Sequence, residues 1–203
     1  MLTLYSQQSS GNAYKPRLLM AHLDIPFRIV EVNTYDGSTR RPDYLARNPN
    51  GKVPLLEFPD GRRLAESDAI LLHLAEGTRF IPADAFDRAK VYEWLFFEQY
   101  SHETAIAVRR SILTAPERAA QRTPERLAGL LEAGNRALAI METRLSAADW
   151  IAGDAYSIAD IALYAYTHKA GDGGYDLAAF PEIETWLARV AAQPGHVPLE
   201  WRP

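Results

Sequence analysis

Between Asn48 and Leu74 the chain sets a Val-Pro pair, an Asp-Gly turn and an acidic-hydroxyl pair in close succession. Each restricts the backbone. Val53 precedes Pro54 and is pushed towards extended geometry, which leaves its N–H and C=O available to another extended chain. Pro54 has no N–H to give to a ladder and suits the first residue of a strand; a cis bond there would mark a shaped site. Asp60-Gly61 is a short hairpin signal. Glu66, Ser67 and Asp68 fall where a helix starts, with unpaired N–H groups and the positive end of a dipole. A ligand with a peptide-like middle and a carboxylate end fits such an arrangement.

Around this stretch the first 75 residues mix strand and helix patterns. Leu2–Tyr5 reads as a short strand, Ser6–Asn12 as a polar loop, and Leu18, Leu19 and Leu23 mark a helix ending near Asp24-Ile25-Pro26. Phe27–Val32 alternates as a second strand. Asn33–Arg41 is loop-like and Pro42–Arg47 a short helix. Leu55–Phe58 and Arg62–Leu64 form the hairpin, and Glu66–Ala75 a helix. Residues 77–85, with Pro82, read as a linker. Everything beyond is helical. Phe86–Leu113 is long and rich in aromatics. Thr123-Pro124-Glu125 gives a cap, a proline in the first turn and an acid. Ser157–Asp160 is a capping box with Asp in place of Glu or Gln. The helix it opens is apolar almost all round and should be buried. A last amphipathic helix carries Ile183, Trp186, Leu187 and Val190.

The motifs Asn48-Pro49-Asn50-Gly51-Lys52-Val53-Pro54, Glu66-Ser67-Asp68-Ala69-Ile70, Ser157-Ile158-Ala159-Asp160 and Gln193-Pro194-Gly195-His196 occur in one order along the chain. In this the sequence resembles the soluble bacterial glutathione S-transferases with a serine- or asparagine-bearing active-site loop. The strand and helix order matches the α/β thioredoxin-like N-terminal domain of that family. The resemblance implies such a domain over residues 1–76, the linker 77–85 and an all-α domain over 86–203. It also implies glutathione as co-substrate, a small electrophile as acceptor, and a homodimer.

Composition narrows the chemistry. The net charge of −4 comes with scattered Lys and Arg, so no basic stripe points to nucleic acid. No apolar run approaches 18 residues and no charged-then-apolar leader follows Met1; a soluble cytoplasmic protein without membrane attachment is expected. Cysteine is absent. The chain can form no disulfide, no Cys-ligated metal site and no thiol nucleophile of its own. Any reactive sulfur must arrive with the ligand. The histidines lack metal-ligand spacing, so no metal is expected.

A free thiol has a pKa of about 8.5. Lowering it by two units needs about 2.7 kcal/mol of preference for the thiolate. One hydrogen bond to a charged group contributes about 1.5–3 kcal/mol, and a helix N-terminus about 0.3–1 kcal/mol. One good donor at the start of the first helix therefore suffices. By the family's Ser-Gly-Asn-x-Tyr-Lys pattern, Ser10 and Asn12 are the candidates, then Ser9; Tyr5 lines up with the tyrosine of other members but lies at the strand end. Simple helix capping competes for Ser10 and Asn12.

The resemblance also assigns Ser67 and Glu66 to the γ-glutamyl end, Val53 beside Pro54 to strand-like pairing with the cysteinyl portion, and Lys52 to the glycine carboxylate. Apart from the resemblance, Arg40 and Arg41 are candidates for a second cation there, though nothing in their spacing demands it. On the long helix Tyr100, His102 and Arg109 are candidate walls for the acceptor, while Trp94 and Phe97 read as core. Asp160 reads as a structural cap. Conjugation to an electrophile is the leading activity. Peroxide reduction, isomerisation, dehalogenation and a non-enzymatic binding or regulatory role stay open, because acceptor choice rests on a few wall residues.

Overall fold

In the computed structural model, which describes residues 1–203, the N-terminal runs build one four-stranded sheet. Its strands are β1 (Leu2–Ser6), β2 (Phe27–Glu31), β3 (Leu55–Glu57) and β4 (Arg63–Ala65), in the order β2-β1-β3-β4. β1 and β2 run parallel, joined by α1 (Gly11–His22); β3 is antiparallel to β1 and β4 closes the Asp60-Gly61 hairpin. Leu4 pairs with Leu56, and Tyr5 with Leu55. Strand alternation sends these two pairs to opposite faces. Leu4 and Leu56 pack with Met20 of α1 and Ile70 of α3 (Ser67–Ala75). Tyr5 and Leu55 pack with Tyr44 of α2 (Pro42–Leu45). The sheet thus has α1 and α3 on one face and α2 on the other, the thioredoxin-like arrangement.

The segment Pro194–Pro203 groups with Met1–Glu76 as one compact unit, and Gly77–Gln193 forms the second. The helical domain expected to reach residue 203 therefore stops at Gln193. The reason lies in hydrogen bonds to the closing segment. Tyr14 donates to the Val197 carbonyl at 2.6 Å, Gln8 Nε2 to that of Leu199 at 2.7 Å, and Arg17 to that of Trp201 at 3.3 Å. Trp201 also packs by Phe27.

The second unit is all helical: α4 (Ala85–Phe97), α5 (Glu103–Thr114), α6 (Pro124–Leu145), α7 (Ile158–Thr167) and α8 (Pro181–Ala191). α4 and α5 are one continuous run interrupted by a π-helical turn at Glu98–His102, where the sequence suggests a single uniform helix. Asp84 caps α4 by accepting from the N–H groups of Phe86 and Asp87, and Thr123 caps α6. Every residue of α7 is buried. Part of the expected linker belongs to this unit: Phe80 is fully buried, stacks edge-on against Tyr156, and its carbonyl accepts from Ile158 N. No helix is long and apolar enough to cross a membrane.

Candidate functional site

In the first unit two helix N-termini meet, those of α1 and α3. The chain leaves β1 into Gln7–Ser10. Ser10 has extended backbone and its Oγ accepts from Ala13 N at 3.2 Å, so it caps α1. That bond uses a lone pair and leaves the hydroxyl proton to be donated. Ser9 is exposed and accepts from Gln7 Nε2. Asn12 lies two residues inside the cap, and its Oδ1 accepts from Ser67 Oγ at 3.4 Å. With the carbonyl end turned to Ser67, the amide Nδ2 is the end that can donate to an anion.

Tyr5 belongs elsewhere. Its ring packs in the α2-side cluster edge-on to Tyr44, and its hydroxyl accepts from Arg47 Nη1 at 2.8 Å. Alternation along β1 turns it from the face that carries α1.

The Val53–Pro54 bond is cis. Neither the N–H nor the carbonyl of Val53 is hydrogen-bonded within the chain, so a strand edge stands open beside Pro54. The entrance is fixed one residue earlier, where the Lys52 carbonyl accepts from Tyr44 Oη at 2.7 Å and Asn48 Nδ2 at 2.8 Å. Burial holds the Tyr44 hydroxyl protonated, its pKa pushed up to about 12. Asn48 is itself buried, and its Oδ1 accepts from Asn50 N.

Gly51 has φ +61°, and a Cβ there would lie 2.6 Å from Arg40 Nη1 and 2.8 Å from the Thr39 carbonyl. Only glycine fits. Arg40 Nη1 donates to the Asn50 carbonyl at 3.0 Å, which holds this cation against the turn that leads into Lys52. Lys52 is exposed and makes no ion pair.

Glu66 has φ 66° and ψ 119°, a backbone that residues with a Cβ rarely adopt. It is exposed, and its Oε1 accepts from Asn50 Nδ2 at 3.3 Å. Ser67 and Asp68, the first residues of α3, are buried. Beneath them lies Lys15 of α1, wholly buried, with Nζ 3.0 Å from Asp68 Oδ1 and 3.2 Å from Ser67 Oγ. Sequence reasoning gave Lys15 no role, although it closes the Ser-Gly-Asn-x-Tyr-Lys pattern. The signal was there: it lies three residues after Asn12, hence on the same side of the helix. Arg17 was missed as well. Burial pulls its pKa down to about 10, and its Nη2 donates to the Gln8 carbonyl at 2.9 Å.

The acceptor-wall candidates lie in the second unit and separate from one another. His102 is fully buried, with Nε2 2.8 Å from Thr167 Oγ1; it is an interior residue and no wall. Tyr100 is 85% exposed and lies one turn after the equally prominent Phe96. Arg109 donates to the Leu127 carbonyl and lies over the Tyr175 ring, so it braces its own unit. Trp94 is buried and packs edge-on with Phe97. Asp160 is a cap: it is fully buried and accepts from Ile151 N, Ser157 N, Ser157 Oγ and Trp186 Nε1 at 2.9–3.1 Å. Desolvation pushes its pKa up to about 6 against these donors. No three His, Cys, Asp or Glu side chains gather as a metal site.

A thioredoxin-like unit with an open strand edge and two facing helix N-termini, joined in sequence to a helical unit, is the plan of one protein class. Residues 9–76 match the family model of the glutathione S-transferase N-terminal domain, and residues 103–194 that of the C-terminal domain. The chain belongs to the glutathione S-transferase family. Among solved structures it is similar to a glutathione S-transferase from Pseudomonas fluorescens Pf-5 (45% identity, 98% of each chain, TM-score 0.94). One from Xanthobacter autotrophicus Py2 shares 42% identity over 98% of this chain and 97% of that one, with TM-score 0.93. Among curated proteins it is 29% identical to the disulfide-bond oxidoreductase YfcG of Escherichia coli K12, over 96% of this chain and 92% of that protein.

Proposed function

We propose that this protein is a glutathione transferase that binds glutathione along Val53 and between the N-termini of α1 and α3, and presents its sulfur as a thiolate. One observation carries the reading. The Ser67–Asn12 contact of 3.4 Å sets the candidate for the γ-glutamyl carboxylate beside the candidate for the sulfur, while the Val53 backbone is left open for the peptide between. The Asn12 amide and the Ser10 hydroxyl donate to the sulfur at the positive end of α1. Together they provide roughly the 2.7 kcal/mol that a two-unit fall in thiol pKa requires. Ser67 and the α3 N–H groups take the carboxylate, Glu66 the ammonium, and Lys52 with Arg40 the glycine end. The thiolate attacks an electrophilic carbon, a C–S bond forms, and the leaving group departs with its electron pair. The chain contributes anion stabilisation and proximity.

The relative YfcG, a disulfide-bond oxidoreductase, favours a second reading. A glutathione thiolate attacks a substrate disulfide and releases one thiol; a second glutathione attacks the mixed disulfide, releasing the other thiol and glutathione disulfide. Since the chain has no cysteine, both sulfurs must come from glutathione. We also propose a homodimer. Phe96 and Tyr100, 71% and 85% exposed and one turn apart, form an apolar face on the long helical run of the second unit, and Ile140 is half-exposed on α6. Light scattering should give twice 22.7 kDa; the monomer mass would refute this.

The deciding experiment is ultraviolet titration of glutathione bound to the protein, beside assays with aryl halides and with small disulfides. Bound thiol should titrate about two units below its free value of about 8.5, and Asn12→Ala should raise it more than Ser10→Ala. A bound thiol that titrates like the free one would exclude thiolate activation.

A further inference from the structure

The thiolate chemistry at α1 uses neither of the basic side chains buried along that helix. Arg17 turns to the carbonyls of Gln8, Ala13 and Trp201. Lys15 turns to the first two residues of α3. An ammonium removed from water is stable only when paired and hydrogen-bonded, and Asp68 Oδ1 at 3.0 Å supplies the pairing.

The second contact, to Ser67 Oγ at 3.2 Å, has a directional consequence. A lysine ammonium can only donate. Ser67 Oγ must accept at this contact, and its single proton is left to be given elsewhere. Within the chain that proton has only long contacts, 3.4 Å to Asn12 Oδ1 and 3.5 Å to Asp68 Oδ1. A carboxylate arriving at the N-terminus of α3 is a better acceptor than either. A hydroxyl that already accepts from a cation is also a stronger donor, because chained hydrogen bonds polarise one another.

We propose, on the assignment of Ser67 to the ligand carboxylate made above, that Lys15 is a positioning residue that orients and polarises the Ser67 hydroxyl for the α-carboxylate of the γ-glutamyl group. Asp68 keeps the buried charge balanced. A lysine that merely ties α1 to α3 has no such dependence on the ligand's carboxylate, and this separates the two roles.

The test is calorimetric binding of glutathione and of 4-aminobutyryl-cysteinylglycine, which is glutathione without that carboxylate. Their affinity ratio reports the carboxylate alone. In the unmodified protein glutathione should bind about tenfold tighter or more. Lys15→Met combined with Asp68→Leu removes both buried charges without stranding either, and the ratio should fall by about tenfold. Asp68→Asn keeps an acceptor for Lys15 and removes the negative charge, so the ratio should rise. A structural Lys15 would shift both affinities together, and an unchanged ratio in either variant overturns the proposal. Asp68→Asn, nearly isosteric, decides the matter if the paired variant does not fold. An unmodified protein that binds both ligands equally would remove Ser67 from the carboxylate and the proposal with it. One that binds neither would refute the glutathione reading itself.

Discussion

Glu66 is where stability and binding should move in opposite directions. Its φ of 66° with ψ of 119° lies outside the regions open to residues with a Cβ, and such a backbone costs about 1–3 kcal/mol. Glycine adopts positive φ without that strain, at an entropic cost of about 0.5–1 kcal/mol. The exposed carboxylate gives little back to the fold: it accepts from Asn50 Nδ2 at 3.3 Å, and an exposed contact of that kind contributes about 0–1 kcal/mol. Glu66→Gly should therefore stabilise the first unit by about 0.5–2 kcal/mol. Glu66→Ala keeps the Cβ and the strain, and should give none of this gain. Both variants lose the carboxylate assigned to the ligand ammonium, so both should bind glutathione about tenfold more weakly. Hydrogen exchange at the β1 and β3 amides reads the opening free energy of this unit, and calorimetry reads the affinity. A glycine variant no more stable than the alanine variant would refute the strain. Undiminished affinity in both would remove Glu66 from the site.

Two further outcomes are expected. Asp160→Ala strands the N–H groups of Ile151, Ser157 and Trp186 in the interior, each at about 1–3 kcal/mol; after relief of the buried carboxylate, urea unfolding followed by tryptophan fluorescence should show a net loss of about 2–4 kcal/mol, and a loss below about 1 would contradict the capping role. Burial holds the His196 pKa below its ordinary value. The neutral ring is therefore favoured in the folded state, and its contribution is present above about pH 6.5 and lost as pH falls through the folded-state value. The opening free energy read from hydrogen exchange across residues 194–203, after correction for the pH dependence of intrinsic exchange, should fall as pH drops below about 6.5, and His196→Gln should flatten that dependence.

The sheet and the caps were legible because they rest on local rules. Val-Pro, Asp-Gly, Thr-Pro-Glu and Ser-x-x-Asp each act over two to four residues, and each stands where its pattern puts it. What failed was long-range. His102 looks like a polar tip at helical spacing, yet the π-helical turn at Glu98–His102 and the neighbouring Thr167 make it interior. Gln193-Pro194-Gly195-His196 reads as part of a helical domain that runs to residue 203, while the bonds that draw the following residues to the first unit come from Gln8, Tyr14 and Arg17, more than 180 residues upstream.

α1 shows most plainly why such readings stop where they do. A surface helix announces its buried stripe by the spacing of its apolar residues. Here Lys15 and Arg17 are as buried as Leu18 and Leu19, so hydropathy places charge where the fold has interior. The two cations are tolerated for different reasons. Arg17 finds carbonyl oxygens left over by an irregular loop and by the closing segment, while Lys15 finds a carboxylate and a hydroxyl at the start of another helix. Neither set of partners is adjacent in sequence. A charge at a core position of a short helix is therefore better read as a demand for a distant partner than as a break in the pattern. For Lys15 that partner is the hydroxyl that also faces the candidate ligand site. A buried ion pair and a candidate binding residue then become one cluster, in which a change made for packing should also be felt by the ligand.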